Sequence, residues 1–263
     1  MKRIDIKELH ERRWVPGFLR DYMTDALQFV MGVAGVYRPI VGRLSGTVDA
    51  AGADRIVDLC SGAGGPWPWL YRAVEQGRDG NFQIVLTDMY PNLTAFARVR
   101  KDSGGTIDFY PEPVDASRLP DDLNGFRTVF TSFHHFTPGE ASGILRDAVE
   151  QKQGIGVFEL PRRNLVTILW VFLVPLGALL TAPFTRPFRL SRLFWTYIIP
   201  VIPFMLWFDG VLSCLRAYTP AELVEFSSHL GAKDYAWEAG ETSGGLVTVT
   251  YLLGYPITAS PEP

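Results

Sequence analysis

Three aspartates lie within or just after short apolar runs, and a glycine-rich loop follows the first. Arg55–Cys60 (RIVDLC) contains Asp58 and runs into Ser61-Gly62-Ala63-Gly64-Gly65; Asp88 follows Gln83–Thr87, and Asp115 follows Val114. Glycines after a strand let the backbone come close to a ligand, and a following helix offers its positive N-terminus. That chemistry suits a nucleotide-like ligand. An acid ending the next strand sits beside such a loop, so Asp88 can accept both hydroxyls of a ribose. A dinucleotide fingerprint wants a third glycine for close helix–strand packing, whereas Gly62-x-Gly64-x-x runs into Trp67, which weakens a nicotinamide reading. Plainer roles compete. Asp88 can cap a helix before Pro91, Asp115 can close an Asx turn in DASRLP, and Asp58 can bond loop amides.

A second set of candidates is His134, His135 and Glu159. The histidines follow Arg127–Ser132 (RTVFTS) and Glu159 ends Ile155–Glu159 (IGVFE), so all three fall at strand ends. A histidine titrates near neutrality and can take a proton there; the alternative is packing or orientation. Glu159 can face the same edge or cap the Pro-Arg-Arg turn after it. His10 and His229 lack a partner pattern and read as surface residues. Trp67, Trp69 and Tyr71 read as core or ligand-flanking aromatics. The two cysteines, Cys60 and Cys214, form neither a disulfide framework nor a zinc spacing, so the expectation is a reducing, cytoplasmic setting and no metal.

The elements that must hold these residues alternate. Apolar runs at Arg55–Cys60, Gln83–Thr87, Ile107–Tyr110, Arg127–Ser132 and Ile155–Glu159 predict strands. Trp67–Gln76, Pro91–Lys101 and Pro138–Gln151 predict helices between them, two opening on proline. This alternation predicts an α/β fold with a doubly wound parallel sheet. Thr219-Pro220-Ala221-Glu222 is a capping box that opens a helix to about His229, and Leu246–Leu253 predicts a last strand. Residues 1–49 predict an N-terminal helical cap with helices at Asp25–Val33 and Tyr37–Val48. Residues 50–160 and 217–257 then form the core, and 161–216 an apolar insertion.

With these residues in place, the sequence resembles class I S-adenosylmethionine-dependent methyltransferases. Asp58-x-x-x-Gly62-x-Gly64 fits their first motif, with Cys60 where the family often has glycine. Asp88 matches the acid that binds the ribose hydroxyls, and Asp115 the acid that contacts the adenine amine. The resemblance implies a Rossmann-like sheet of seven strands, the last antiparallel, and S-adenosyl-L-methionine as cofactor. It implies cofactor contacts at Asp58, Ser61, Gly62, Ala63, Gly64, Asp88, Met89, Asp115, Ala116 and Ser132. His134, His135 and Glu159 become the catalytic candidates, needed only where the acceptor atom keeps its proton.

The chain has 263 residues, 47% hydrophobic and 20% charged, with a net charge of −3 and a mean hydropathy of +0.09. These values exclude a disordered chain, and no basic excess calls for a nucleic acid. The N-terminus, MKRIDIKELHERRW, has no apolar core and does not read as a signal peptide. The positive hydropathy comes largely from Leu165–Phe184 and Leu193–Phe208, uncharged runs of 20 and 16 residues. Twenty apolar residues suffice to cross a bilayer, but a hairpin would place Arg186, Arg189 and Arg192 on the outer side. A monotopic structure in one leaflet fits better. Those arginines would meet lipid phosphates, and Trp170, Trp195, Tyr197 and Trp207 would lie at headgroup level. A helical lid or a dimer interface would bury the same surface. The function expected is therefore methyl transfer to a lipophilic small molecule at the membrane surface. Alternatives are a soluble acceptor, with the insertion as lid or dimer interface, and a non-catalytic cofactor-binding membrane protein.

Overall fold

The computed structural model describes residues 1–76, 82–245 and 247–257. It divides into two compact units. A sheet unit comprises Tyr37–Leu160 and Thr219–Pro263, and a helical unit comprises Met1–Val36 and Pro161–Tyr218.

The sheet unit contains β1 (Arg55–Leu59), β2 (Gln83–Leu86), β3 (Ile107–Phe109), β4 (Phe126–Phe130), β5 (Ile155–Glu159), β6 (Tyr235–Gly244) and β7 (Val247–Pro256). They form one sheet in the order β3-β2-β1-β4-β5-β7-β6. β1 to β5 run parallel, β7 pairs antiparallel with β5, and β6 with β7. This is the doubly wound methyltransferase-like α/β fold, with its seventh strand reversed. Every residue of β4 and β5 is buried, Arg127, Thr128 and Glu159 included, and each strand reads as a largely apolar run. β6 has no such run. YAWEAGETSG lies at the sheet edge with mostly half-buried or exposed residues, so its sequence gave no strand signal. Leu246, where the last strand was expected to begin, lies outside the described residues.

The helices Trp67–Glu75, Leu93–Asp102, Pro138–Glu150 and Pro220–His229 lie close to their predicted spans. Thr219 and Glu222 form the expected capping box, and Thr137 and Glu140 form a second. The helix expected from Pro91 starts later, because the Asn92 side chain caps it by accepting Ala95 N–H. Asp88 is therefore not its cap. Tyr37 leads through a 3-10 turn into the helix Val41–Ala50, both on the sheet unit.

In the helical unit, the N-terminal helix Gly17–Ala34 packs against parts of the insertion. Val15, Leu19, Tyr22, Met23 and Ala26 share a core with Ala178, Ile202, Met205 and Leu206. The insertion consists of Leu165–Val171, Val174–Thr181, Leu190–Leu193 continuing into a π-helical turn Phe194–Ile198, and Val201–Arg216. Among the described residues no single helix is long and apolar enough to cross a membrane. The pair Leu190–Ile198 and Val201–Arg216 passes together by length and composition, bent by 71°. Pro200 sits at the break, where its missing N–H interrupts the helical ladder.

Two side chains lie in surroundings other than those the sequence predicts. Arg192 does not face outward. It is 1% exposed, bonded to Asp25 Oδ2 at 2.5 Å and to the carbonyls of Thr185 and Pro187 at 2.8 and 2.9 Å. An arginine can be buried when its guanidinium NH groups find a carboxylate and carbonyls in this way. His10 is not a bare surface residue either, since its Nδ1 meets Asp209 Oδ2 at 3.1 Å. Asp209 also accepts the backbone N–H of Leu9 and His10, and Arg216 meets Glu11 at 2.5 Å and Glu8 at 3.7 Å. Burial lowers the His10 pKa, but the Asp209 hydrogen bond and the charges of Glu8, Asp209 and Glu11 outweigh it and raise the value.

Candidate active site

β1 to β5 are parallel, so their carboxyl ends lie along one edge, where open α/β sheets bind ligands. After β1 the chain turns sharply: Cys60, Gly62, Gly64 and Gly65 all have positive φ, at 57°, 57°, 107° and 51°. Glycine tolerates this conformation freely, whereas Cys60 adopts it against its Cβ. That explains why glycine would be at ease at position 60. The turn is fastened by Asp58, 1% exposed, which accepts the hydroxyls of Ser61 and Thr128, both at 2.6 Å. Thr128 lies opposite Asp58 in the β1–β4 register. Burial pushes the Asp58 carboxyl up to about 6; the Ser61 and Thr128 hydrogen bonds oppose that rise.

The next two acids are stitched to the same edge. Gly62 N–H donates to Asp88 Oδ2 at 2.8 Å and Tyr90 N–H to Oδ1 at 2.8 Å. Val114 N–H donates to the Asp88 carbonyl at 2.9 Å, linking the loops after β2 and β3. Asp115 accepts both the N–H and the hydroxyl of Ser117, at 2.8 and 2.7 Å. The Asx turn weighed for Asp115 is therefore present. Each carboxylate oxygen has two lone pairs, so these bonds leave both acids able to accept hydroxyl or amine donors. Around them Ala63 and Ala116 are buried and Met89 is 41% exposed. Ser132 donates its hydroxyl to the Phe130 carbonyl at 3.1 Å.

Two of the three catalytic candidates form one buried constellation. Glu159 accepts Phe133 N–H on Oε1 at 2.6 Å and His134 Nδ1 on Oε2 at 2.6 Å. Both side chains are 1% exposed. Held through Nδ1, the ring has its orientation fixed by the carboxylate, as a histidine base requires. The His135 ring lies 4.2 Å from that of His134, centroid to centroid. Glu159 thus fastens the turn after β4 rather than the Pro-Arg-Arg turn that follows it.

Beneath this edge, Trp67 and Tyr37 meet the Phe130 ring edge-on at 5.6 and 5.0 Å, and Phe130 stacks on Phe158 at 5.0 Å. Trp67 and Tyr71 are accordingly core residues, while Trp69 is half exposed. Sequence reasoning missed the Tyr37 hydroxyl, which bonds Thr131, a residue with φ of 45°. It also missed the service of Thr128. Both depend on which strands and helices become neighbours, and neither residue stands in a motif.

No family model matches the sequence, and no curated protein matches it. Among solved structures, the fold is similar to human N-acetylserotonin methyltransferase in complex with SAM, with a TM-score of 0.52 and 16% identity over 96% of this chain and 63% of that one. It is also similar to an O-methyltransferase family protein from Burkholderia thailandensis, with a TM-score of 0.51 and 17% identity over 90% and 60% of the two chains. PigF, solved with SAH, gives a TM-score of 0.51 and 14% identity over 90% and 61%. The chain spans about three-fifths of the length of these three proteins. At such identities the likeness establishes the fold.

Proposed function

We propose that this protein is an S-adenosylmethionine-dependent methyltransferase whose acceptor is a lipophilic small molecule, such as a lipid or quinone, at the cytoplasmic side of a membrane. One observation carries the reading. A left-handed glycine turn and three carboxylates, Asp58, Asp88 and Asp115, converge at the carboxyl edge of a methyltransferase-like sheet. The neighbours solved with SAM and SAH support it.

When bound, the cofactor supplies an electrophilic methyl group. The chain's residues do the rest by positioning. Asp88 accepts the ribose hydroxyls, Asp115 the adenine amine, and the Gly62–Gly64 backbone allows close approach. Asp58 holds the turn in shape through Ser61 and Thr128. His134, oriented by Glu159, takes the proton from an acceptor hydroxyl or amine that still carries one, and His135 stands beside it. An in-line displacement draws most of its rate from orientation and exclusion of water. The apolar, largely exposed insertion helices support a lipophilic acceptor collected from a lipid phase.

The test is to incubate the full chain with radiolabelled S-adenosylmethionine and either a membrane lipid extract or an aqueous metabolite extract. Label entering the organic-soluble fraction is expected. Label entering only water-soluble products would overturn the lipophilic acceptor and make the insertion a lid or interface.

A further inference from the structure

The net charge of −3 hides a strong asymmetry. The helical unit holds twelve Lys and Arg against six Asp and Glu, a net +6, whereas the sheet unit is −9. Residues 161–208 contain five arginines and no carboxylate. Of the unit's six acids, Glu8, Asp25 and Asp209 are buried against Arg216, Arg192 and His10. The remaining positive charge faces outward, with Arg12, Arg13 and Arg186 exposed and Arg189 half exposed.

The same unit exposes its apolar side chains. Leu165, Leu169, Leu173, Leu176 and Leu180 follow helical spacing, and each is at least half exposed. Leu190, Phe194 and Ile198 repeat the pattern in the next helix at 75%, 43% and 70%. Soluble monomers rarely leave such surface bare. A second helical unit would cover it at the cost of opposing two net positive charges. A second sheet unit would offer opposite charge but little apolar surface. Its exposed large apolar residues, among those described, are Trp69, Met89, Tyr90, Leu93, Val224 and Ile257. An anionic lipid leaflet offers both chemistries.

We infer that the helical unit docks on anionic lipid. Its two apolar stripes enter the acyl region of one leaflet, and Arg12, Arg13, Arg186 and Arg189 meet the headgroup phosphates. The inference rests on the membrane part of the function proposed above and names the lipid that part requires. The N-terminal segment, which carries Arg12 and Arg13, shares the task with the insertion.

The test is flotation of the full chain with vesicles of phosphatidylcholine alone or with added phosphatidylglycerol, at low and high salt. Binding should need the anionic lipid and fall with salt. Arg12→Gln with Arg13→Gln, and Arg186→Gln with Arg189→Gln, should each weaken it about twenty-five-fold, roughly fivefold per arginine. Leu169→Asp with Leu176→Asp should abolish it, with thermal melts confirming a folded chain. The salt series on the unaltered protein needs no variant. Equal flotation with both vesicles would overturn the anionic requirement and leave the membrane reading standing. Flotation with neither would overturn both, and a cofactor titration in the absence of lipid would still report separately on methyl-donor binding.

Discussion

The two units bury charge to opposite ends. In the sheet unit, buried Asp58 and Glu159 accept hydrogen bonds from the turns after β1 and β4, so buried charge shapes segments at the ligand edge. In the helical unit, Asp25, Glu8 and Asp209 pair with Arg192, Arg216 and His10, while leucines and aromatics remain exposed. Hydrogen bonding organises a site in one case. In the other it draws polar groups inward and leaves apolar side chains at the surface. The difference teaches that an arginine in an apolar segment is not thereby a surface arginine. Burial against a carboxylate and backbone carbonyls is an alternative, and Arg192 takes it.

Breaking the contrast should cost most in the helical unit. Arg192→Met strands the buried Asp25 carboxylate and should lower stability by about 3–5 kcal/mol in urea melts, while Asp25→Leu with Arg192→Met should recover most of that. An Arg192→Met protein of unchanged stability would return this arginine to the surface role first expected of it. In the sheet unit the corresponding test is pH. Asp58 titrates at about 6 when folded and near 4 when unfolded. Between those values the folded protein keeps a proton that the unfolded chain has released. This stability is present at acid pH and is lost as pH rises through 6, by about 3 kcal/mol across the window. Asp58→Asn should flatten that dependence, and an unchanged slope between pH 4 and 7 would remove Asp58 from its cause.

A smaller effect sharpens the role of the edge. His134→Gln should lower turnover roughly a hundredfold or more while leaving cofactor affinity unchanged. Glu159→Gln should lower turnover and also alter its pH profile, because the carboxylate no longer holds the ring. If His134→Gln retained full turnover across pH, the histidine would be a packing residue.

The sequence exposed what local pattern controls. β1 to β5 were legible because their largely buried residues make short, mostly apolar runs, and the glycine turn because left-handed backbone restricts residue choice. Asp58, Asp88 and Asp115 were legible by spacing. The partners were not. Thr128 meets Asp58, and Thr131 meets Tyr37, only after strands and helices become neighbours. Edge strand β6 lacked an apolar run, and Arg192 was misplaced because its carboxylate lies 167 residues away. The positive charge of the helical unit was hidden by averaging over the chain, since the two segments that compose it are distant in sequence.

The central claim is that the carboxyl edge of the sheet holds S-adenosylmethionine through its glycine turn and acids. Isothermal titration of the full chain with S-adenosylmethionine tests it most directly. Saturable one-to-one binding is predicted, weakened by about 1.5–3 kcal/mol in Asp88→Ala, the range for a hydrogen bond to a charged group. A folded protein that takes up no cofactor, or an Asp88→Ala variant that binds as well as the parent, would contradict the account.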